Sequence, residues 1–313
     1  MKQSLLTAGG DEKGSKNGGV HIRKVADRSI KWPLKHHEKC AYGARFSLDE
    51  QYIVTCGSNN KVNVYHIRHN LDIAQPTGFE YLGADVPTRT VRCIAIHKQY
   101  LAIGGLGETK IGEKMEPTGE IRIMDLSKNE PAKSAVRINF GAGELTSIAF
   151  DHEGKFLAAV SDNEVGAWQL NWLSGNHQLF TRKKEDKKPT ALCFDPKSSA
   201  VFLATEETPV SKIDFEPSDP NTSYTMSAFP PARLESIGGQ SFAKALALSP
   251  DGSRLAAACN DGCVRIFDAM DGSFLLALRQ SSKPLTAIAF SHDGRSLATG
   301  CVDGKVRIWE TVD

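Results

Sequence analysis

The sequence predicts an all-β protein built as a β-propeller, and three observations carry that prediction. Two C-terminal segments, Lys244 to Gly272 and Leu285 to Asp313, are near copies with the same parts in the same order. Six apolar strand ends, Phe46, Ile96, Phe150, Phe194, Leu248 and Phe290, recur 42 to 54 residues apart. That spacing fits four strands plus loops, near the roughly 40–45 residues typical of a propeller blade. No helical period of useful length competes with it.

Each clear repeat opens on a short apolar strand ending at Leu248 or Phe290. "SPDG" or "SHDG" follows, with Asp and Gly where a tight turn needs them. A small-residue strand comes next, "RLAAAC" or "SLATGC". Then "NDG" or "VDG" predicts a hairpin into the third strand, "CVRIFD" or "KVRIWE". Weaker copies run over 41–67, 91–126, 145–170 and 190–215. The copy at 91–126 contains a Gly- and charge-rich stretch from Gly104 to Gly119, read here as an inserted loop. Residues 5–35 look like the second, third and fourth strands of a further blade. The predicted blades span 5–35 (partial), 40–75, 90–135, 144–182, 188–228, 242–280 and 285–313, all within one domain over 1–313.

The "SPDG…LA…NDG.VRIFD" layout resembles the WD-repeat family over nearly the whole chain. The closing dipeptide appears as Phe267-Asp268, Trp309-Glu310 and Met124-Asp125, so the literal Trp-Asp is absent. The resemblance implies a ring whose last blade takes its fourth strand from the N-terminal side. On that pattern the last blade lacks its fourth strand and the first blade its first. One further segment of roughly 20–30 residues would supply both. The expectation is therefore seven blades with an incomplete first one. The alternative is six, with Arg28 to Leu34 as the closing strand. In this family Asp261 and Asp303, in the turns between second and third strands, would anchor their blades. Trp168 and Trp309 on third strands are expected to pack between blades.

Function is sought at the loops and at the entries to the innermost strands. Four residues before each reference position stand Tyr42, Arg92, Thr146, Thr190, Lys244 and Thr286. In a propeller they surround the mouth of the central channel. Arg92 and Lys244, with Lys187, Lys188 and Lys283 nearby, would make that mouth basic and suited to an acidic or phosphorylated peptide. A solvated rim with screened charges is the competing reading. The Gly-rich segment Gly9 to Gly19 lacks the phosphate-loop order. It is similar to the first-blade loop of the endoplasmic-reticulum exchange factors for the Sar-type small GTPase, at Ala8, Gly9, Gly10, Lys16, Asn17 and Gly18. That resemblance implies a potassium-binding loop acting on the GTPase at the cytosolic face of that membrane. The loop is poorer in glycine than the family's, and the family's C-terminal anchor is not in this sequence.

Composition narrows the remaining classes. Lys+Arg is 38 against Asp+Glu 37, so no net field draws the chain to nucleic acid or an anionic membrane. The run Thr181 to Lys188 has no interleaved aromatic residues and reads as a solvated turn. No apolar stretch of 18 residues is present, and the N-terminus lacks the secretory pattern. Seven widely spaced cysteines read as small hydrophobes in a reducing cytoplasm. His36-His37 and Cys259/Cys263 do not match a zinc spacing. The sequence thus predicts no catalytic residue, metal or cofactor. It predicts a non-catalytic scaffold binding other proteins within an assembly, with the exchange factor for a small GTPase as the alternative.

Overall fold

The computed structural model describes residues 4–8, 20–24, 30–34, 37, 40–47, 49, 51–58, 60–66, 78–81, 89–111, 113–128, 131, 133, 135–141, 143–171, 178–184, 188–198, 200–206, 210–214, 225–228, 235–236 and 239–310. It is all-β, and the chain divides into two compact units, Met1–Ile148 and Ala149–Asp313.

In the first unit, β1 (Ser4–Ala8), β2 (Val20–Lys24) and β3 (Ile30–Pro33) form a three-stranded antiparallel sheet. The second sheet has the order β4 (Ala41–Phe46), β5 (Tyr52–Gly57), β6 (Lys61–His66), β7 (Gly78–Tyr81). The third runs β8 (Thr90–His97), β9 (Tyr100–Ile111), β10 (Lys114–Asp125), β11 (Val136–Phe140). Each sheet buries one face on the next. Val20, Ile22 and Leu34 pack on Ala41, Ile53 and Tyr65. Val54, Val62 and Val64 pack on Ile94, Leu101 and Ile103.

The boundary between the units falls within β12 (Ser147–Phe150), which pairs into a sheet with β13 (Phe156–Val160), β14 (Glu164–Gln169) and β15 (Gln178–Lys184). Next come β16 (Pro189–Phe194), β17 (Val201–Thr205), β18 (Ser211–Asp214) and β19 (Thr225–Ala228). A two-stranded pair, β20 (Glu235–Ser236) and β21 (Gly239–Gln240), precedes the sheet β22 (Ala243–Leu248), β23 (Arg254–Cys259), β24 (Cys263–Asp268), β25 (Phe274–Arg279). The last sheet is three-stranded: β26 (Leu285–Phe290), β27 (Ser296–Cys301), β28 (Val306–Glu310). Phe156 and Val165 pack on Leu192 and Leu203, Phe202 on Leu255 and Phe267, and Val264 on Leu285 and Leu297. Trp168 is buried, and Trp309 packs at the edge of the last of these clusters.

One turn recurs after the first strand of the sheets. The amides of Ser47, Asp151, Asp195, Ser249 and Ser291 donate to the carbonyls of Tyr52, Phe156, Ala200, Arg254 and Ser296, at 2.8–3.1 Å. In three copies the Ser hydroxyl also accepts from the amide five residues on, at 2.9 Å. Gly252 (φ 69°) and Gly294 (φ 72°) supply the left-handed residue this turn needs. The repeat is therefore written in hydrogen bonds as well as in apolar spacing.

The stretch Gly104 to Gly119 departs from expectation. It is a continuous β-hairpin, paired without a break from Tyr100↔Asp125 to Ile111↔Lys114. Its glycines serve close packing. A Cβ at Gly105 would overlap the Thr90 carbonyl, one at Gly107 the Glu120 carboxylate, and one at Gly119 the Phe140 carbonyl. Glycine is required where another chain segment approaches this closely, and here it looks like loop composition while building a sheet.

Candidate functional site

In the first unit, the structure brings Tyr42 and Arg92 together at the start of β4 and β8. The Arg92 guanidinium lies 4.6 Å from the Tyr42 ring centroid. Its Nε donates to Glu144 Oε2 at 2.8 Å. Glu144 also accepts from the Thr90 hydroxyl, and Thr90 Oγ1 in turn accepts the Leu106 amide at 3.2 Å. Thr146 is exposed two residues beyond Glu144. The expected basic character is compensated at this position, because Glu144 cancels Arg92.

The hairpin β9–β10 is held at its base by groups the sequence reading did not single out. Arg89 Nε donates to Glu108 Oε1 at 2.6 Å, and Arg137 Nη2 to the Glu108 carbonyl at 2.6 Å. Glu120 is fully buried between two arginines, with Oε1 2.6 Å from Arg122 Nε and Oε2 2.9 Å from Arg137 Nη2. The Glu-x-Arg alternation of Glu120 and Arg122 was the one available signal. Beyond Leu106 and Gly119, where β8 and β11 stop pairing, five residues in each arm continue alone. Residues 113–117 at the tip are exposed, with Met115 at 54%.

In the second unit, Lys188 Nζ lies 3.3 Å from Asp162, so this cation is also compensated. Thr190 donates to the Ala243 carbonyl at 2.6 Å. Lys244 is exposed, with its ammonium 6.0 Å from the Phe242 ring centroid. Thr286 and Lys283 are exposed. Lys187 and the first-blade loop residues Gly9, Gly10, Lys16, Asn17 and Gly18 lie outside the described residues.

Asp261 accepts two bonds from Arg265, at 3.1 and 2.7 Å, and the Cys263 amide at 3.0 Å. It ties the β23–β24 turn to the third strand. Asp303 accepts the Lys305 amide at 3.0 Å in the next repeat. In the last sheet, Trp309 Nε1 donates to Thr299 Oγ1 at 3.0 Å, and Thr299 bonds to the Gln280 side chain. All seven cysteines are free. Burial pushes the Cys56 thiol up to about 12 and the Cys259 thiol to about 11, so both stay protonated at neutral pH. Among the described residues, no group of three His, Cys, Asp or Glu side chains is placed to hold a metal ion.

Several carboxylates of the second unit sit below their usual range. Hydrogen bonds from the Ser249 and Ser253 hydroxyls bring Asp251 down to about 2. The Ser291 hydroxyl lowers Asp293, the Lys305 amide lowers Asp303, and the Ser273 amide lowers Asp271. A carboxylate whose folded pKa is depressed stabilises the fold above its unfolded value, near 3.9. That contribution is lost as pH falls through the folded value. The melting temperature is therefore expected to drop between about pH 4 and pH 2. Circular dichroism melts from pH 5 to 2 check this, and a flat profile would contradict it.

Sheets of three or four antiparallel strands, each packed face to face on the next within its unit, define a β-propeller class of protein. The family model for the WD domain, G-beta repeat, matches residues 28–66, 233–268 and 272–310. The three matches end on the last residues of β6, β24 and β28, so each closes on a third strand. These three segments are WD repeats. WD repeats generally mediate protein–protein interaction, and the proteins that carry them are typically non-catalytic and bind other proteins. No curated protein matches the chain.

Proposed function

We propose that this protein is a non-catalytic interaction scaffold within a cytoplasmic multiprotein assembly. The observation that carries the reading is the β9–β10 hairpin. Its arm extends beyond its own sheet, its base is cross-braced by Arg89, Arg122 and Arg137, and its tip exposes Met115. A rigid, pre-ordered arm loses little conformational entropy on docking, which suits recognition rather than turnover. Free, protonated thiols support a reducing compartment.

The test is affinity purification of the native full-length protein, in parallel with a variant lacking Glu108–Pro117 and rejoined through Asn-Gly, a strong two-residue hairpin turn. The expected result is a stoichiometric set of partners with the intact chain and their loss from the variant. Recovery of no partner by the intact chain would overturn the scaffold reading. The second reading, exchange factor for a Sar-type GTPase, rests on the loop resemblance. That loop joins β1 to β2, whose pairing reaches Ala8↔Val20. Accelerated nucleotide release from such a GTPase by the purified chain would decide for it.

A further inference from the structure

One position breaks the repeat. Immediately before the reference apolar residue of each first strand stand Arg45, Ala95, Ala149, Cys193, Ala247 and Ala289. The register shows that these positions are equivalent. Phe46, Ile96, Phe194, Leu248 and Phe290 pair with Ile53, Leu101, Val201, Leu255 and Leu297 at the start of the second strand. Five repeats place a small side chain here, and one places the longest cation. Departures from a local rule in an otherwise consistent fold are where function is to be sought.

Arg45 alternates with Ala44 and Phe46, which pack toward the first sheet, so it points to the opposite face of β4. Its side chain is exposed to solvent. Surrounding protein nevertheless pulls its pKa below the usual arginine value, chiefly by burial, beside the thiols of Cys56 and Cys93. Both hold for a side chain that water reaches but protein hems in, and the solvent exposure shows that it is accessible to a ligand. Those thiols are themselves raised by burial and carry no charge at neutral pH, so they are no counter-ion.

Among the described residues, the guanidinium makes one hydrogen bond, from Nη1 to the Ala44 carbonyl at 3.0 Å, and no carboxylate pairs with it. Three residues earlier on the same strand, Tyr42 stacks on Arg92, whose charge Glu144 already meets. The two arginines on neighbouring first strands thus differ in kind: one is neutralised by a carboxylate and, among the described residues, the other is not. A guanidinium offers five N–H donors in a planar fork that matches carboxylate and phosphate oxygens.

We propose that Arg45 is an oxyanion receptor, pairing with a carboxylate or phosphate on an acidic segment of a protein partner. The proposal rests on the scaffold reading and specifies the chemistry of one of its contacts.

Arg45→Ala tests it cleanly, because it restores the residue that four of the other repeats carry. The variant is expected to melt at or above the temperature of the unaltered protein. The probes are two fluorescein-labelled nonapeptides of alanine and glycine, one with three central glutamates and one with a central phosphoserine, followed by anisotropy at low salt. At least one is expected to bind the unaltered protein saturably, and to bind Arg45→Ala about ten- to a hundredfold more weakly. Arg45→Lys is expected to fall between the two, as a point charge replaces a fork. Binding of the glutamate peptide assigns a carboxylate, and binding of the phosphopeptide alone assigns a phosphate. Failure of both peptides to bind, or equal binding by Arg45→Ala, overturns the proposal. Partners that copurify equally with Arg45→Ala would leave the scaffold reading standing while Arg45 falls.

Discussion

Glu120→Ala is expected to lower the stability of the first unit by about 3–5 kcal/mol, the range for removing one partner of a buried ion pair. Glu120 is wholly inaccessible, and its carboxylate answers Arg122 at 2.6 Å and Arg137 at 2.9 Å. Arg122 is itself only 13% exposed, so truncating the carboxylate removes the charge that meets a guanidinium water cannot adequately reach. Arg137 is 42% exposed and keeps its bond to the Glu108 carbonyl, so its share of the loss is small. Arg137→Ala should accordingly cost within about 1 kcal/mol. Urea unfolding of the two variants beside the unaltered protein measures both. A loss below about 1 kcal/mol for Glu120→Ala would mean that water or a neighbouring carboxylate replaces it.

Asp261→Ala is expected to cost a similar amount, about 3–5 kcal/mol, in the second unit. Asp261 meets Arg265 through both oxygens and also accepts the turn amide of Cys263. Arg265 is only 7% exposed. Burial acts to pull its pKa down, and the bonds and charge of Asp261 more than offset that. Without Asp261, the guanidinium keeps, among the described residues, a 3.3 Å bond to Ser241 and contact with Cys259. The diagnostic comparison is the double variant Asp261→Ala/Arg265→Leu. Replacing a buried pair by apolar groups is often neutral, so the double variant should recover part of the loss. If it is no more stable than Asp261→Ala, the cost lies in the turn bond to Cys263 rather than in the stranded charge.

Both predictions concern groups of different legibility. Asp261 sits in an Asp-Gly turn that the C-terminal repeats display openly, and its anchoring role follows from the family resemblance. Its partner Arg265 lies four residues on, in the third strand. Glu120 was hidden, because one of its arginines arrives from β11, seventeen residues later, through sheet pairing. The rim residues show the same division. The offset from the reference positions placed Tyr42 and Arg92 at neighbouring strand entries, and the structure stacks them. It did not reveal that Glu144, more than fifty residues away, would cancel the charge of Arg92.

The Gly104–Gly119 stretch shows why composition misleads. Glycine marks loops because it tolerates any backbone, and it also marks places where another segment comes too close for a side chain. Only coordinates separate these cases, and here Thr90, Glu120 and Phe140 occupy the space.

By itself the sequence determined the repeat: its spacing, the turn that follows each clear first strand, and that Arg45 stands where other repeats place alanine or cysteine. These are local properties, set by side-chain alternation, turn chemistry and spacing along the chain. The tertiary structure alone decided which charges are met within the protein. Ion pairing depends on distances between strands far apart in sequence, and the 332/(ε·r) fall-off of Coulomb attraction is felt only once the sheets have brought Arg92 to Glu144 and left Arg45, among the described residues, without a carboxylate.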